Sequence, residues 1–348
     1  MKNRLFRKIL FSFTATFLFF LFLAITIEVS SFFIYTFYPS INKVILAASK
    51  VYYSSSISLP QYSGLAEYDD QLGYILKPGE HIFNSKEFKT SFIVNSVGLR
   101  DKEQDLEKPD VVVLGDSYAM GWGVEESDSF GSVLQKKLNV KVLNAAISSY
   151  GTAREFLLLS KLKIQPKAIV IQYCENDFDE NKSFVENNYS LNVMQKDVFF
   201  KLEKSHQKEV LYYPGKYIRK FFPIIIRTLK REYIKKSESN SIKDYSVDAQ
   251  YFYKITEYFS KKSYKNIPIY VLDLSGPDID VHQSKSFLNC LIQVVENNKN
   301  NNIKVIQNYH LDEVQDHFQL EVHINKNGHQ KVATVLYNEL VDLFKTKQ

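Results

Sequence analysis

The sequence predicts an α/β fold, in which a central parallel sheet is covered by helices on both faces and a transmembrane helix precedes the domain. Two patterns indicate it. After residue 110, short apolar runs of strand length alternate with longer amphipathic segments, and a long apolar stretch lies near the N-terminus. Strands that alternate with helices form parallel sheets between two helical layers, so a three-layer α/β/α sandwich follows.

The predicted elements follow the alternation in chain order. We expect strands at 110–114, 140–144, 168–174, 267–273 and 303–308, and helices at about 126–138, 152–162, 248–263, 284–297 and 328–345. Residues 66–105 are expected to form short strands and turns ahead of this series.

The N-terminus predicts a membrane anchor. Four basic residues lie within the first eight positions, and an apolar stretch follows from Ile9 to about Tyr38, with one acid at Glu28. This stretch exceeds the roughly 20 residues that span a bilayer. A basic flank stays in the cytoplasm, so we expect a single-pass protein with an extracytoplasmic domain, periplasmic or at the cell surface. The alternative is a cleaved signal peptide, but the apolar run is longer than the usual ~7–15 residues.

Three regions are expected along the chain. Residues 1–38 form the cytoplasmic tip and anchor, 39–65 a juxtamembrane stem, and 66–348 the main domain. An insert at about 185–245 is rich in basic and aromatic residues. It has three interpretations: a lid, a surface on anionic lipid, or a solvated helix packed on the domain by its apolar side.

Composition excludes several classes. A net charge of +5 and a pI of about 8.8 are too mild to indicate nucleic-acid binding. The sequence has neither a zinc-type Cys/His cluster nor a phosphate-binding glycine loop, so we expect no metal and no cofactor. Cys174 and Cys290 could form a disulfide, but their apolar surroundings favour two buried thiols.

A candidate nucleophile follows the first strand of the predicted sheet. The run 111–114 is entirely apolar and ends at Gly115-Asp116-Ser117, where a helix begins. Ser117 would therefore lie at the carboxyl edge of the sheet and at a helix N-terminus, where free N–H groups stabilise negative charge. The alternative is a helix cap within a turn.

Polar partners follow later strands. Asn176 comes after the apolar run 168–171, and His323 lies on the loop before the last helix. A nucleophile, an imidazole base with a carboxylate nearby, and polar donors for an oxyanion are the requirements for acyl transfer. The sequence therefore predicts a hydrolytic or acyl-transfer site at this sheet edge.

These motifs resemble those of the SGNH hydrolases, also called the GDSL family. Residues 115–117 match the first block of that family, Asn176-Asp177 its asparagine block and His323 its terminal histidine block. The segments 95–101, 121–124 and 150–155 are similar to a membrane-anchored bacterial subgroup. The resemblance covers roughly residues 73–343, apart from the insert, and implies a flavodoxin-like three-layer fold.

The resemblance also implies roles for individual residues. Ser117 is the expected nucleophile and His323 the general base, with an oxyanion hole formed by the backbone N–H groups of Ser117 and Ser149 and the side chain of Asn176. Two positions depart from the family pattern. Ser149 stands where a glycine is usual, and Glu321 stands two residues before the histidine, where an aspartate is usual. Glu321 is the expected triad acid.

Several neighbouring residues have less direct interpretations. Asp316 is a weaker candidate for the triad acid. We expect Asp116 to orient the nucleophile turn, His329 to have a structural role, and Trp122 to serve packing.

The expected activity is hydrolysis of an acyl ester, most simply an O-acetyl ester, on a carbohydrate or lipid of the cell envelope. One alternative is an O-acyltransferase that uses the same residues, and a second is an inactive binding or assembly component. The expected partners are the acylated substrate, the membrane through the N-terminal helix and, as an open option, machinery for an envelope polysaccharide.

Overall fold

The computed structural model describes residues 2–56, 64–235, 244–274, 286–307, 309–312 and 314–345. Two compact units make up the chain. The smaller contains Met1–Ser58 and Gln207–Asn240, and the larger contains Leu59–His206 and Ser241–Gln348.

The elements fall in the following order. The chain forms α1 (Lys2–Phe37), α2 (Lys43–Ser56), β1 (Ala66–Asp69), β2 (Gly73–Leu76), β3 (Gly79–Asn84), β4 (Lys89–Val94), β5 (Val111–Leu114), α3 (Ser117–Met120), α4 (Phe130–Leu138), β6 (Val142–Asn144), α5 (Thr152–Leu162), β7 (Ala168–Tyr173), α6 (Phe178–Glu186), α7 (Lys196–Val210), α8 (Lys216–Lys235), α9 (Ser246–Lys262), β8 (Ile269–Asp273), α10 (Phe287–Asn297), β9 (Ile303–Val305) and α11 (Lys326–Phe344).

The larger unit is built on a parallel sheet with the strand order β6-β5-β7-β8-β9. Every residue of β5 is buried, because this strand is hydrogen-bonded on both sides and covered on both faces. Helix α4 packs against α11, while α9 packs against α5, α6 and α10. This is the flavodoxin-like strand order, and the predicted α/β fold is confirmed.

Two antiparallel hairpins precede the sheet, as expected for residues 66–105. Strand β1 pairs with β2, and β3 pairs with β4. Aromatic side chains of both hairpins pack against the rest of the larger unit. The ring of Phe83, on β3, lies 4.3 Å from the ring of Trp122, centroid to centroid.

Helix boundaries differ from the predicted ones where capping residues intervene. The expected helix at 126–138 is divided, because the Ser129 hydroxyl accepts the N–H of Ser132 and starts α4 at Phe130. The last helix begins two residues early. Asn325 caps it by accepting the N–H groups of Asn327 and Gly328.

The smaller unit consists of α1, α2 and α8, and α8 packs against both other helices. Helix α8 comes from the insert, whose Gln207–Asn240 segment thus belongs to the unit that holds the N-terminal helix. Residues Phe6–Phe37 of α1 are long and apolar enough to cross a membrane, with a mean hydropathy of 2.3, and a signal sequence would share these properties.

Both cysteines are buried and neither forms a disulfide, as their apolar surroundings indicated. Burial raises the pKa of the Cys174 thiol well above its ordinary value, with Asp116 adding to the effect. Cys174 therefore stays a neutral thiol rather than a nucleophilic thiolate, although it follows β7 directly.

Candidate active site

The turn after β5 places Ser117 at the carboxyl edge of the sheet. Gly115 has a φ of +151°, and a Cβ added to it would lie 2.7 Å from both the Ala119 Cβ and the Gln172 Oε1. Only glycine fits such a turn. Asp116 then caps α3, because its Oδ1 accepts the N–H of Tyr118 at 3.0 Å. Asp116 therefore orients the turn, in agreement with its expected part.

Gln172, on the neighbouring strand β7, completes this turn. Its Oε1 accepts the N–H groups of Asp116 (3.2 Å) and Ala119 (3.1 Å), and its Nε2 donates to the carbonyl of Tyr173 at 3.0 Å. The side chain is fully buried. Sequence reasoning missed Gln172, although one amide within an otherwise apolar strand is an unusual feature that could have indicated it.

His323 lies against Ser117, although 206 positions separate the two residues. The distance from His323 Nε2 to Ser117 Oγ is 2.7 Å, and Ser117 is 8% exposed. The hydroxyl of Tyr118 donates to the carbonyl of Val322 at 3.0 Å, so the residue after Ser117 also holds the residue before His323. The structure brings the predicted nucleophile and base together.

Glu321 contacts the other imidazole nitrogen. Its Oε2 lies 3.0 Å from His323 Nδ1, and its Oε1 accepts the indole N–H of Trp122 at 3.2 Å. Glu321 is 5% exposed, so water does not compete for these bonds. A carboxylate here favours the tautomer with a proton on Nδ1, which leaves Nε2 free to accept from Ser117. Trp122 therefore orients the acid as well as packing.

The alternative acid, Asp316, binds elsewhere. Its Oδ2 lies 2.6 Å from the Nζ of Lys331 and accepts the N–H of Asp312 at 2.7 Å. Asp316 thus ties the loop before His323 to α11, and Glu321 is the carboxylate hydrogen-bonded to the imidazole.

Ser149 follows β6 and adopts a left-handed conformation, with a φ of +60°. This φ gives a physical reason for the glycine that is usual here in the SGNH family, since a side chain in this region costs roughly 1–2 kcal/mol. The residue is exposed. The chain therefore keeps the backbone geometry of a glycine position without the glycine.

Asn176 follows β7 and lies in a 3-10 turn formed by Glu175–Asp177. Its Nδ2 donates to the Oδ2 of Asp116 at 3.2 Å, which leaves the second N–H of the amide available for another acceptor. Because Ser117, Ser149 and Asn176 follow adjacent parallel strands, all three predicted oxyanion donors lie at one edge of the sheet.

Arg100 holds the backbone that follows α3. It is 1% exposed, and its guanidinium donates to the carbonyls of Gly121 at 2.5 Å and Val124 at 2.7 Å, just beyond the end of α3. The group also stacks 3.7 Å from the centre of the Phe92 ring. Burial lowers the pKa of Arg100 to about 10, so the cation persists at neutral pH and binds carbonyls at the negative end of α3.

His329 has a structural contact. Its Nδ1 accepts the N–H of Phe130 at 3.1 Å, at the start of α4. Burial lowers its pKa to about 3, with smaller effects from Arg100 and His323. His329 is therefore neutral at physiological pH and acts as a hydrogen-bond acceptor, in agreement with its expected role.

No group of three or more His, Cys, Asp or Glu side chains is placed to hold a metal ion within the described part of the chain. A serine hydroxyl, an imidazole and a carboxylate meet at this edge of the sheet.

Solved structures with a similar fold include a lipolytic protein of the G-D-S-L family from Desulfitobacterium hafniense, which is 13% identical, with a TM-score of 0.37 over 66% of this chain and 97% of that one. A family two carbohydrate esterase from Cellvibrio japonicus is 12% identical, with a TM-score of 0.40 over 68% of this chain and 62% of that one. A salicylyl-acyltransferase from a tetracycline biosynthetic pathway is 13% identical, with a TM-score of 0.33 over 68% and 56%. No family model and no curated protein matches the chain.

The left-handed conformation of Ser149 generates a test of its part in the site. Ser149→Gly and Ser149→Val both remove the hydroxyl, but glycine accepts a φ of +60° and valine does not. We expect ester hydrolysis by the glycine variant to stay near the wild-type rate and hydrolysis by the valine variant to fall by about tenfold or more, because a strained backbone misplaces the N–H. Equal losses in the two variants would show that the hydroxyl itself participates.

Proposed function

We propose that the protein is a serine esterase that hydrolyses acyl esters. The observation that carries this proposal is the continuous chain of hydrogen bonds from Ser117 Oγ through both nitrogens of His323 to the buried carboxylate of Glu321, with distances of 2.7 Å and 3.0 Å. A serine hydroxyl becomes a nucleophile when a base accepts its proton and a third group orients that base.

In the first half of the reaction, His323 Nε2 takes the hydroxyl proton while Ser117 Oγ bonds to the ester carbonyl carbon. The carbonyl π electrons move to oxygen, and the N–H groups of Ser117, Ser149 and Asn176 stabilise that oxyanion. The imidazolium is stabilised by Glu321. When the C–O bond to the alcohol breaks, the imidazolium returns the proton to the leaving oxygen, and an acyl-serine remains.

In the second half, water attacks the acyl-serine. His323 accepts one proton of the water molecule as the water oxygen bonds to the acyl carbon. The resulting imidazolium then protonates Ser117 Oγ as the bond between Oγ and the acyl carbon breaks and the carboxylic acid leaves. The enzyme is regenerated, and the same three donors stabilise the second oxyanion.

The substrate we propose is an acylated carbohydrate or lipid of the cell envelope, with an O-acetyl group as the simplest acyl group. This proposal rests on location, because the N-terminal helix is apolar enough to serve as an anchor and its basic flank favours an extracytoplasmic larger unit. Envelope polymers and lipids are the ester-bearing molecules within reach of such a protein.

The nucleophile can be tested by substitution and by labelling. Ser117→Ala should abolish hydrolysis of a short-chain aryl ester and labelling by a serine-directed phosphonate, since the covalent step needs the hydroxyl. Ser127→Ala, which removes a hydroxyl from an exposed serine elsewhere on the larger unit, is the control and should behave as the wild type.

Wild-type activity in purified Ser117→Ala would show that another group is the nucleophile. A wild-type protein that neither hydrolyses esters nor takes up the probe would favour the binding or assembly role instead.

The triad acid can be tested with two substitutions of the same kind. Glu321→Gln should lower kcat roughly 10³–10⁴-fold, because it removes the charge that holds the Nδ1 proton of His323. Asp316→Asn should change kcat little, since Asp316 binds Lys331 and the backbone of Asp312. Melting temperatures of both variants control for unfolding, and the reverse ranking of kcat would make Asp316 the acid.

The acyltransferase alternative can be tested by product partitioning. With an acetyl ester supplied alone or together with envelope oligosaccharides, an esterase releases acetate at the same rate in both cases, whereas a transferase needs a bound acceptor that competes with water through its effective concentration. We expect acetate as the main product by mass spectrometry. Turnover that requires an acceptor and yields acetylated oligosaccharide would contradict hydrolysis.

The membrane topology can be tested with a reporter fused after Gln348. A phosphatase that folds only outside the cytoplasm should be active in this fusion, because the basic residues at the N-terminal end of α1 are expected to stay in the cytoplasm. The mature protein should retain α1, because its apolar run is longer than that of a usual signal peptide. Reporter activity confined to the cytoplasm would contradict the proposed location, and release of a shortened chain would identify α1 as a signal peptide.

A further inference from the structure

Helix α1 changes its environment part-way along its length. From Phe6 to Ile27 most side chains are exposed around the whole helix, whereas Glu28, Ser31 and Tyr35 are buried at 9%, 3% and 8% exposure. The three buried residues are spaced at i, i+3 and i+7, which places them on one face of the helix. The exposed stretch of about 22 residues is roughly 33 Å long, close to the ~30 Å thickness of the hydrocarbon core. With α1 as the proposed membrane anchor, the outer boundary of the membrane would fall near Glu28.

The N-terminal end of α8 is fixed at this boundary. The Oε2 of Glu28 accepts the N–H of Ile218 at 2.8 Å. Ile218 is the third residue of α8, and an N–H in the first turn has no acceptor within its own helix. A carboxylate is also favourable at the positive end of the helix dipole.

Aromatic packing holds the same end of α8. The rings of Tyr217 and Phe221 lie 6.0 Å and 5.3 Å from that of Tyr35 on α1, and 5.9 Å and 5.3 Å from that of Tyr52 on α2. The outer part of α1 is therefore an integral part of this three-helix unit, and the N-terminal end of α8 lies where the exposed stretch of α1 ends.

The opposite side of α8 is basic. Arg219, Arg227 and Lys230 are exposed and spaced at i, i+8 and i+11, which places them on the face away from Tyr217 and Phe221. The sequence from 216 to 231 contains no acidic residue. Two apolar side chains beside them are also exposed, Ile226 at 37% and Leu229 at 47%. We call Arg219, Arg227 and Lys230 the basic face.

We propose that the basic face of α8 binds the anionic headgroups of phospholipids at the extracytoplasmic surface of the membrane. Amphipathic helices with basic and apolar side chains lie in the membrane interface, and each cation near an anionic surface raises the affinity several-fold. Headgroup binding also requires that the helix lie close to the membrane surface, and the proposed anchor holds the N-terminal end of α8 there.

The test uses the full chain in lipid nanodiscs, which contain either phosphatidylcholine alone or phosphatidylcholine with phosphatidylglycerol. Hydrogen exchange of the α8 amides is measured in both. We expect anionic lipid to slow exchange about tenfold or more, and Arg219→Gln/Arg227→Gln/Lys230→Gln to remove this difference. The matched control, Lys254→Gln/Lys262→Gln/Lys265→Gln, neutralises three exposed lysines of the larger unit. This control should show the same difference in exchange between the two kinds of disc as the wild type.

Equal exchange in the two kinds of disc, or a lipid effect that survives in the α8 variant, would overturn the proposal. Incorporation of the chain into discs is scored separately, so failure of α1 to act as an anchor is distinguished from failure of α8 to bind headgroups. Weakening of the lipid effect at high salt is expected, because headgroup binding at the surface is screened.

A second inference comes from the tip of the β3–β4 hairpin. Glu87 accepts three consecutive backbone N–H groups with its carboxylate: Gln319 at 2.8 Å, Leu320 at 2.7 Å and Glu321 at 3.0 Å. Beside it, the ring of Phe88 lies 5.2 Å from that of Phe318. The hairpin tip therefore holds the backbone of the residue whose side chain binds His323.

The geometry points to Glu87 as a positioning residue that sets the orientation of Glu321 against His323. This inference rests on the proposed function. Three N–H donors converge on one carboxylate, so both oxygens must be acceptors, and an amide at this position would present an NH₂ group to at least one N–H. Displacement of the Glu321 backbone would lengthen the bond between Glu321 Oε2 and His323 Nδ1.

The test compares Glu87→Gln with Glu125→Gln. Glu125 also accepts a backbone N–H of the hairpin, that of Ser91 at 3.2 Å, but its contact is with β4 and not with the loop before His323. We expect Glu87→Gln to lower kcat about tenfold or more with little change in KM, because misplaced catalytic groups slow the chemical step. Glu125→Gln should leave kcat unchanged. Glu87→Asp keeps the charge and should retain more activity than Glu87→Gln.

A second readout needs no turnover. The Nδ1 proton of His323, shared with Glu321, should give a strongly deshielded proton NMR signal in the wild type and in Glu125→Gln, and a weakened or shifted one in Glu87→Gln. A lower melting temperature of Glu87→Gln with unchanged kcat and signal would overturn the inference. Loss of the signal in a chain that hydrolyses no ester would support the positioning of Glu321 while contradicting the proposed function.

Discussion

The start of α3 is the constraint on which the site depends. Helix α3 begins inside the protein, at the end of a buried strand. The first N–H groups of such a helix have no acceptor within the helix and no access to water. Asp116 and Gln172 accept three of them, and this accounts for a carboxylate and an amide among apolar neighbours. These bonds fix the backbone at Ser117, as the role of nucleophile proposed for its hydroxyl requires.

The other groups of the candidate site are oriented by contacts between loops rather than by the sheet. Tyr118 holds the carbonyl of Val322, Trp122 holds the carboxylate of Glu321, and Arg100 holds the carbonyls that follow α3. These bonds join the nucleophile turn to the loop that carries the imidazole. The site is therefore one hydrogen-bonded network, in which the loss of a distant partner can move a reacting group.

The larger features of the fold could be predicted from the sequence because they rest on local patterns. Apolar runs and amphipathic segments identified all five strands of the central sheet, and the glycine of Gly115-Asp116-Ser117 marked the turn where α3 begins. Gln172 and Glu87 carry no such pattern. Their partners lie 53–56 and 232–234 positions away, so only the folded chain shows what they bind. For the same reason, the packing of α8 against α1 could not be predicted from its amphipathic pattern alone.

Two buried acids lie close in sequence to the predicted oxyanion donors Ser149 and Asn176. Glu155, in the first turn of α5, and Asp177, directly after Asn176, are almost inaccessible to water, and burial raises the pKa of each well above its ordinary value. Neighbouring carboxylates add to the effect, Asp177 for Glu155 and Asp116 for Asp177. The hydroxyl of Thr152 donates to Asp177 at 2.9 Å and holds the start of α5 against the asparagine turn. Burial thus favours the neutral form of both acids, which lowers the negative charge near the start of α5 and the asparagine turn. An oxyanion held by the three predicted donors would then meet less opposing charge from these two groups, which is the condition under which N–H dipoles stabilise it most.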